Sequence, residues 1–297
     1  MKPNFFEEWH WEITRLCNLR CNHCITSCGL VGGDEILTKD ALLAIGRMKK
    51  LGCKRIMVTG GEPLARKDIL SILEAGKADG MGLRLITNGL TANRNLVFRL
   101  SKLLDLIGVS LDGSREETHD ALRGAGSFKK ACRAISIFSS VMPVSAHITV
   151  SAHNIHELGA IIEKASELGA TFIHVSEISI LGRAEKNKSW LTLSDDQKKN
   201  LRKMAERLSS EQNCSCELDL STVYLGYNGL VYPCSELAVR KPKMFLDNII
   251  SEQCVERLSL LADKWSPIQG ECCYVMYESR GIVFCLGSGC PCRMIGD

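Results

Sequence analysis

Through residue 180 the sequence alternates short apolar runs with amphipathic segments, and no other feature limits the fold so strongly. Runs at 9–14, 55–58, 83–87, 106–111, 144–150 and 171–175 have the length and apolar density of buried strands. Segments at 39–50, 67–79, 92–104, 128–139 and 155–168 place apolar residues at helical spacing, and Leu51-Gly52 and Leu168-Gly169 punctuate two of their ends. Strands that alternate with helices of this length run parallel, because each helix carries the chain back to the edge where the next strand starts. Six such steps are too few for a closed eight-stranded barrel. The pattern predicts an α/β fold, a partial (β/α)6 TIM-like barrel, with a doubly wound sheet as the alternative.

The pattern changes after Gly182. Residues 192–210 read as one polar, lysine-rich helix, opened by Ser194 as N-cap with Asp195 and Asp196 in the first turn. Beyond it come short strand-like pieces at 221–225, 230–232 and 280–284, and a helical pattern at 248–261. A boundary near residue 212 divides the chain into a 1–212 core and a small, cysteine-rich 213–297 domain. A chain of 297 residues accommodates both, since a core of about 200 residues leaves room for a smaller partner.

Composition narrows the class further. A hydrophobic fraction of 45% excludes a disordered chain, and 25 Gly with 7 Pro exclude a collagen-like one. No stretch reaches the ~18 uninterrupted apolar residues of a spanning helix, and Glu7 and Glu8 stand where a signal peptide has its apolar segment. These features predict a soluble, cytoplasmic protein without a membrane partner. The net charge of +3 is too small to require nucleic acid. Residues 213–297 hold 7 Lys+Arg against 10 Asp+Glu, which leaves the first 212 mildly basic. That balance suits an anionic cofactor, and equally a solvated surface.

Fifteen cysteines are the compositional outlier. Without an export signal, and in a chain too long to need disulfide staples, such a count points to metal. Cys17, Cys21, Cys24 and Cys28 cluster near the start, and nine more lie from Cys214 to Cys292. Cys53 and Cys132, between the clusters, read as small buried apolar residues. Cys17-Asn-Leu-Arg-Cys21-Asn-His-Cys24 directly follows the first strand-like run. Its three thiolates can meet one cubane if the loop wraps around it, and three ligands leave one iron of a [4Fe–4S] cluster open to a small molecule. Cys28 offers the alternative of a closed four-cysteine site, the set that structural zinc prefers.

Polar motifs stand at the ends of the next strands. Gly60-Gly61-Glu62-Pro63 follows the second. Its glycines let backbone approach a ligand closely, and Glu62 can accept hydrogen bonds from an ammonium group. Thr87-Asn88-Gly89 ends the third strand and Ser110-Leu111-Asp112-Gly113 the fourth, with Ser110 and Asp112 on one side of an extended chain. The cysteine spacing followed by these motifs in this order resembles the radical S-adenosylmethionine (SAM) enzymes, over roughly residues 9–185. The resemblance implies a [4Fe–4S] cluster on Cys17, Cys21 and Cys24, with SAM at the C-terminal ends of the strands beside Gly60, Gly61, Glu62, Asn88, Ser110 and Asp112. Asp120-Ala121-Leu122-Arg123-Gly124 resembles a segment of peptide-modifying members, in which Arg123 pairs with the SAM carboxylate; a surface salt bridge is the alternative. His23 holds a position often aromatic in the family, where an imidazole serves or simply faces solvent. Asn154 and Gly182-Arg183-Ala184 match further family positions.

In the tail, Cys214-x-Cys216, Gly229-x4-Cys234, Cys272-Cys273 and Cys285-x4-Cys290-x-Cys292 resemble in part the SPASM/twitch extension of radical SAM enzymes. The middle of that pattern, Cys-x2-Cys-x5-Cys-x3-Cys, is absent. The resemblance implies one or two auxiliary [4Fe–4S] clusters on these cysteines, with structural zinc as the competitor. Cys254 stands apart from the other thiols on a helical pattern. It reads as a small buried apolar residue or as the hydrogen-atom donor of an epimerase. The implied activity is reductive cleavage of SAM to a 5′-deoxyadenosyl radical that abstracts hydrogen from an unactivated carbon. The implied substrate is a ribosomal peptide that is crosslinked or epimerised, or a small natural product such as a sugar or aminocyclitol that is epimerised or oxidised. Implied partners are an electron donor such as flavodoxin or ferredoxin and, because the sequence starts about ten residues before its first strand, a separate leader-peptide-binding protein. A non-catalytic iron–sulfur electron carrier or a zinc-stabilised binding module accounts for the cysteines but not for the strand-end motifs.

Overall fold

Apolar residues at every second position set the core strands: β1 (Glu8–Glu12), β2 (Arg55–Thr59), β3 (Gly82–Thr87), β4 (Leu106–Ser110), β5 (Val144–Val150) and β6 (Phe172–Glu177). The structure is a computed structural model that describes residues 6–30, 34–208, 222–232, 235–243, 245–264, 274–279 and 282–287. The six strands pair in parallel, each beside its neighbour in sequence. Trp9, Trp11, Ile56, Val58, Leu83 and Leu85 turn toward the helices and are at most 2% exposed. By the same alternation the opposite face carries His10, Met57, Arg84, Ser110, His147 and His174, so the barrel's inner wall is largely polar.

Helices α1 (Thr38–Lys50), α2 (Ile69–Ala78), α3 (Arg94–Ser101), α4 (Glu116–Arg123), α5 (Ser127–Ser139) and α6 (Leu158–Glu167) connect the strands. On α1, Ala41, Ala44, Ile45 and Met48 form one buried stripe, and on α5 Ala131, Ala134, Ile135 and Phe138 form another. Gly52 leaves α1 at φ 89°, a left-handed conformation that only glycine adopts without cost. Strands that follow one another across the sheet make a partial barrel; a doubly wound sheet would reverse its order at a switch point.

The strands after residue 212 extend this sheet at both edges. β7 (Thr222–Leu225) runs parallel to β1 and is continued by antiparallel β8 (Leu230–Tyr232) and β9 (Asp247–Asn248). On the far side β11 (Ile282–Gly287) runs parallel to β6 and pairs with β10 (Tyr274–Ser279). The boundary expected near residue 212 falls outside the described residues, but strands from both sides of it share one eleven-stranded sheet. Among the described residues no helix is long and apolar enough to cross a membrane.

Two elements differ instructively from the sequence expectation, and a third carries the cap expected of it. The polar helix runs over Asp195–Leu208, and Ser194 and Gln197 bond reciprocally to each other's amides as a capping box. The pattern at 248–261 becomes helical only at Cys254. Asn248 accepts from the Ile250 amide, and Asp247 is held by Arg257 at 2.7 and 2.8 Å, so local side-chain bonds compete with the helix there. Helix α4 carries no sequence expectation, because eight residues with only Ala121 and Leu122 apolar show too little of the helical period.

The two glycines after β2 seat the site. The Gly61 amide donates to the Thr14 carbonyl at 2.7 Å and the Glu62 amide to the Leu16 carbonyl at 2.8 Å. A Cβ on Gly60 would stand 2.7 Å from the Thr14 oxygen, and one on Gly61 would strike the Leu16 oxygen. The close approach expected toward a ligand is therefore made to the backbone leading out of β1. Gly61→Ala is expected to lower stability by about 1–3 kcal/mol; a urea midpoint equal to wild type would show that the turn shifts freely.

Candidate active site

The chain continues extended beyond β1 to Cys17, then loops out and returns. Leu16 bridges Gly29, and the Cys17 amide donates to the Gly29 carbonyl at 2.7 Å. Cys17, Cys21 and Cys28 are buried and Cys24 is half-buried. Burial pushes the Cys17 thiol up to about 11 and raises Cys21 as well. Cys24 is held low, first by a hydrogen bond from Cys28, against the opposing effect of burial. The Cys28 thiol also lies 3.0 Å from Thr26 Oγ1 and 3.7 Å from Glu12 Oε1.

Glu62 is 1% exposed and braces two strand ends. Its Oε1 accepts from Thr87 Oγ1 at 2.7 Å and from the Leu64 amide at 3.1 Å, and its Oε2 from the Asn88 amide at 2.8 Å. Burial raises its pKa, and these bonds, led by that of the Asn88 amide, only partly offset the effect. Asn88 Nδ2 reaches back 2.7 Å to Asn18 in the cysteine loop.

Ser110 and Asp112 have separate surroundings. Asp112 is fully buried: Oδ1 accepts from the Thr149 amide at 2.8 Å, and Oδ2 meets Arg123 Nε at 2.5 Å and His23 Nε2 at 3.3 Å. Burial pushes its carboxyl up, but Arg123, then His23 and His119, more than offset this and hold it below the usual range. Arg123 thus makes no surface salt bridge: its side chain is 12% exposed, and its Nε is bonded to Asp112. His23 faces Asp112 instead of solvent, and burial lowers it to about 4. Asn154 Nδ2 donates to the Asp112 carbonyl at 2.9 Å. Two members of this network, Thr149 and His119, whose Nδ1 accepts from the Asp112 amide at 3.1 Å, carry no sequence signal.

A profile of the radical SAM superfamily matches residues 11–165. The chain belongs to the radical SAM superfamily. It is 34% identical over 181 residues to an AdoMet-dependent heme synthase of Methanosarcina barkeri, covering 60% of this chain and 52% of that protein. It is 33% identical over 177 residues to the mycofactocin maturase MftC of Mycobacterium ulcerans, covering 58% and 47%. The chain spans about half the length of these curated relatives. In fold it is similar to Streptococcus suis SuiB bound to S-adenosylmethionine, with TM-score 0.69 and 15% identity over 84% of this chain and 64% of that one.

The cofactors of the radical SAM superfamily are SAM and a [4Fe–4S] cluster, and two observations bear on the fit. Among the described residues no three His, Cys, Asp or Glu side chains close on a point that holds a single metal ion, as structural zinc requires. A [4Fe–4S] cluster asks instead for one thiolate at each of several corners, not for several ligands on one atom. His23 Nδ1 is buried beside Cys24 without a hydrogen-bond partner, an orphaned atom of the kind that a bound group completes.

Of the tail cysteines, Cys214, Cys216, Cys234, Cys272, Cys273, Cys290 and Cys292 lie outside the described residues, and Cys285 falls on β11, where only the backbone is described. Cys254 is 1% exposed, and its thiol donates to the Ile249 carbonyl at 3.3 Å within the hydrophobic core. Its charged neighbours are Arg47, Asp247 and Arg257, not the strand-end residues. This is the environment of a small buried apolar residue rather than of a donor facing substrate.

Burial lowers His119 to about 4, His147 to about 3 and His174 to about 4. Each folded value lies below the unfolded one near 6.5, so the unfolded chain takes up protons first on acidification. Their contribution to stability is complete above about pH 6.5 and is lost as pH falls toward 4. Urea midpoints should fall across that window and fall less steeply in His174→Gln; parallel slopes would reject this source of acid sensitivity.

Proposed function

We propose that this chain binds SAM over a [4Fe–4S] cluster held by Cys17, Cys21 and Cys24 and uses it to abstract hydrogen from a substrate carbon in the barrel. The observation that carries this reading is the junction of the cysteine loop with the Glu62–Thr87–Asn88 brace at one strand end. When bound, these cofactors supply a 5′-deoxyadenosyl radical. The chain's part is to bind, orient and exclude water. Glu62 Oε2 accepts one hydrogen bond from protein, which leaves it a free direction for the SAM ammonium. Ser110, 8% exposed, offers a hydroxyl at the end of β4. Asp112 and Arg123 act together, Asp112 holding His23 and with it the cysteine loop, while Gly60 and Gly61 keep Glu62 close to β1.

The substrate we favour is a peptide. Support comes from the likeness to a mycofactocin maturase and from the folds of SuiB, also seen with its precursor peptide SuiA, and of anSMEcpe with AdoMet and a peptide. A tetrapyrrole is the second reading, favoured by the 34% identity to a heme synthase. We further assign the tail cysteines to one auxiliary [4Fe–4S] cluster, and a flavodoxin or ferredoxin as electron donor.

The Cys17/Cys21/Cys24 triple alanine variant should lose about four irons and all 5′-deoxyadenosine formation; unchanged yield would sink the proposal. Glu62→Gln should keep the iron and weaken SAM binding, whereas lost iron with normal affinity would make Glu62 a purely structural brace. Anaerobically reconstituted wild type should hold about eight irons; four irons with stoichiometric zinc would refute the auxiliary cluster.

A further inference from the structure

β1 and β6 are the first and last strands of the barrel core and are not neighbours in the sheet. At the barrel's mouth, however, the segment after β6 is tied to the loop after β1. Arg183, the first residue of a one-turn helix (Arg183–Lys186), donates from Nε to the Cys21 carbonyl at 2.8 Å and from Nη1 to the Cys28 carbonyl at 2.6 Å. Its own amide donates to the Cys24 carbonyl at 2.9 Å. Gly182 permits this approach: it has φ 57°, and a Cβ there would strike the Ile25 carbonyl. Asn187 Nδ2 adds a bond to the Asn22 carbonyl at 3.0 Å, and Arg15 Nη2 holds the Thr26 carbonyl at 2.6 Å.

We infer that Arg183 is a positioning residue: it clasps the two ends of the open barrel together and holds residues 17–28 in their cluster-receiving shape before iron arrives. The inference rests on the cluster assignment proposed above. A loop bearing three ligands loses much conformational entropy if it orders only on binding, and a preformed loop avoids most of that cost. A guanidinium suits the task because its planar fork spans two carbonyls at once. A lysine ammonium carries the same charge without the fork. The positive charge also lies near Cys21 and Cys24, where it favours the more reduced, more negative cluster.

The test compares full-length wild type, Arg183→Lys and Arg183→Gln. Hydrogen exchange over residues 17–28 is read on the metal-free chain, and assembly of the site cluster on anaerobic addition of ferrous iron and sulfide, counted as iron in excess of the Cys17/Cys21/Cys24 triple variant. Both variants should exchange in the loop about tenfold faster, with strand protection unchanged, and should assemble the cluster correspondingly more slowly. The midpoint potential should shift negative in Arg183→Gln and stay near wild type in Arg183→Lys. Wild-type loop exchange and assembly in Arg183→Lys would overturn the clasp, as would protection lost evenly through the barrel. Should neither variant fold, Asn187→Ala, which removes the Asn22 tie together with a bond to the Arg183 carbonyl, decides the matter: faster exchange confined to the loop supports the clasp, and unchanged exchange overturns it. Failure of the cluster assignment itself would appear separately, as full iron content in the triple cysteine variant.

Discussion

A loop that enters the mouth of a barrel has no strand beside it to satisfy its amides and carbonyls, and in this protein side chains take over that role. Along residues 13–16 one side is met by the amides of Gly61 and Glu62. The other is met by charged groups. Glu35 Oε1 accepts from Thr14 Oγ1 at 2.6 Å and from the Arg15 amide at 2.8 Å. Arg66, held by Asp68 at 2.7 Å, donates to the carbonyls of Ile13 and Ile36 at 2.8 and 3.0 Å. The segment is thus held on both edges like a strand, and Cys17 starts from a defined position. Without that frame the bonds farther along the loop would have nothing fixed to hold it against.

The two buried carboxylates of the mouth illustrate how neighbours decide charge. Glu62 is surrounded by neutral donors, so the cost of burial dominates and its pKa rises. Asp112 is just as buried but faces Arg123 and His23, and its pKa falls. A buried ion pair is stable only when the remaining lone pairs are met, and the Thr149 amide supplies that bond to Asp112 Oδ1. Asp112 therefore stays ionised and committed to protein, while Glu62 sits where an arriving cation would most improve its surroundings. The same strand-end position can serve as internal scaffold or as open acceptor, according to which cations the fold brings near it.

The barrel was legible in the sequence because its strands alternate and its helices repeat over enough residues to declare their period. β5 matches the expected 144–150 to the residue, and α1 differs from 39–50 only by Thr38. The cysteine loop and the polar strand ends were legible because each is a short motif at a fixed place after a strand. Legibility failed where partners are distant in sequence. The Asp112 network joins residues from the cysteine loop, α4, β5 and the turn after it, and no local pattern pairs Asp112 with Thr149 or with His119. Arg183 was visible as part of a motif, but its bonds to Cys21 and Cys28 cross more than 150 residues.

By itself, then, the sequence determined the parallel α/β core and the three cysteines that follow its first strand, while the order of the strands across the sheet came from the fold. Hydrophobic period and residue spacing are local properties, and each element carries its own. Only the tertiary structure decided that Gly60 and Gly61 make room for the backbone after β1, that Asp112 is spent on Arg123 and His23, and that Cys254 belongs to the core. Those outcomes depend on which groups burial forces together, and a buried polar atom takes whichever partner the fold delivers to it.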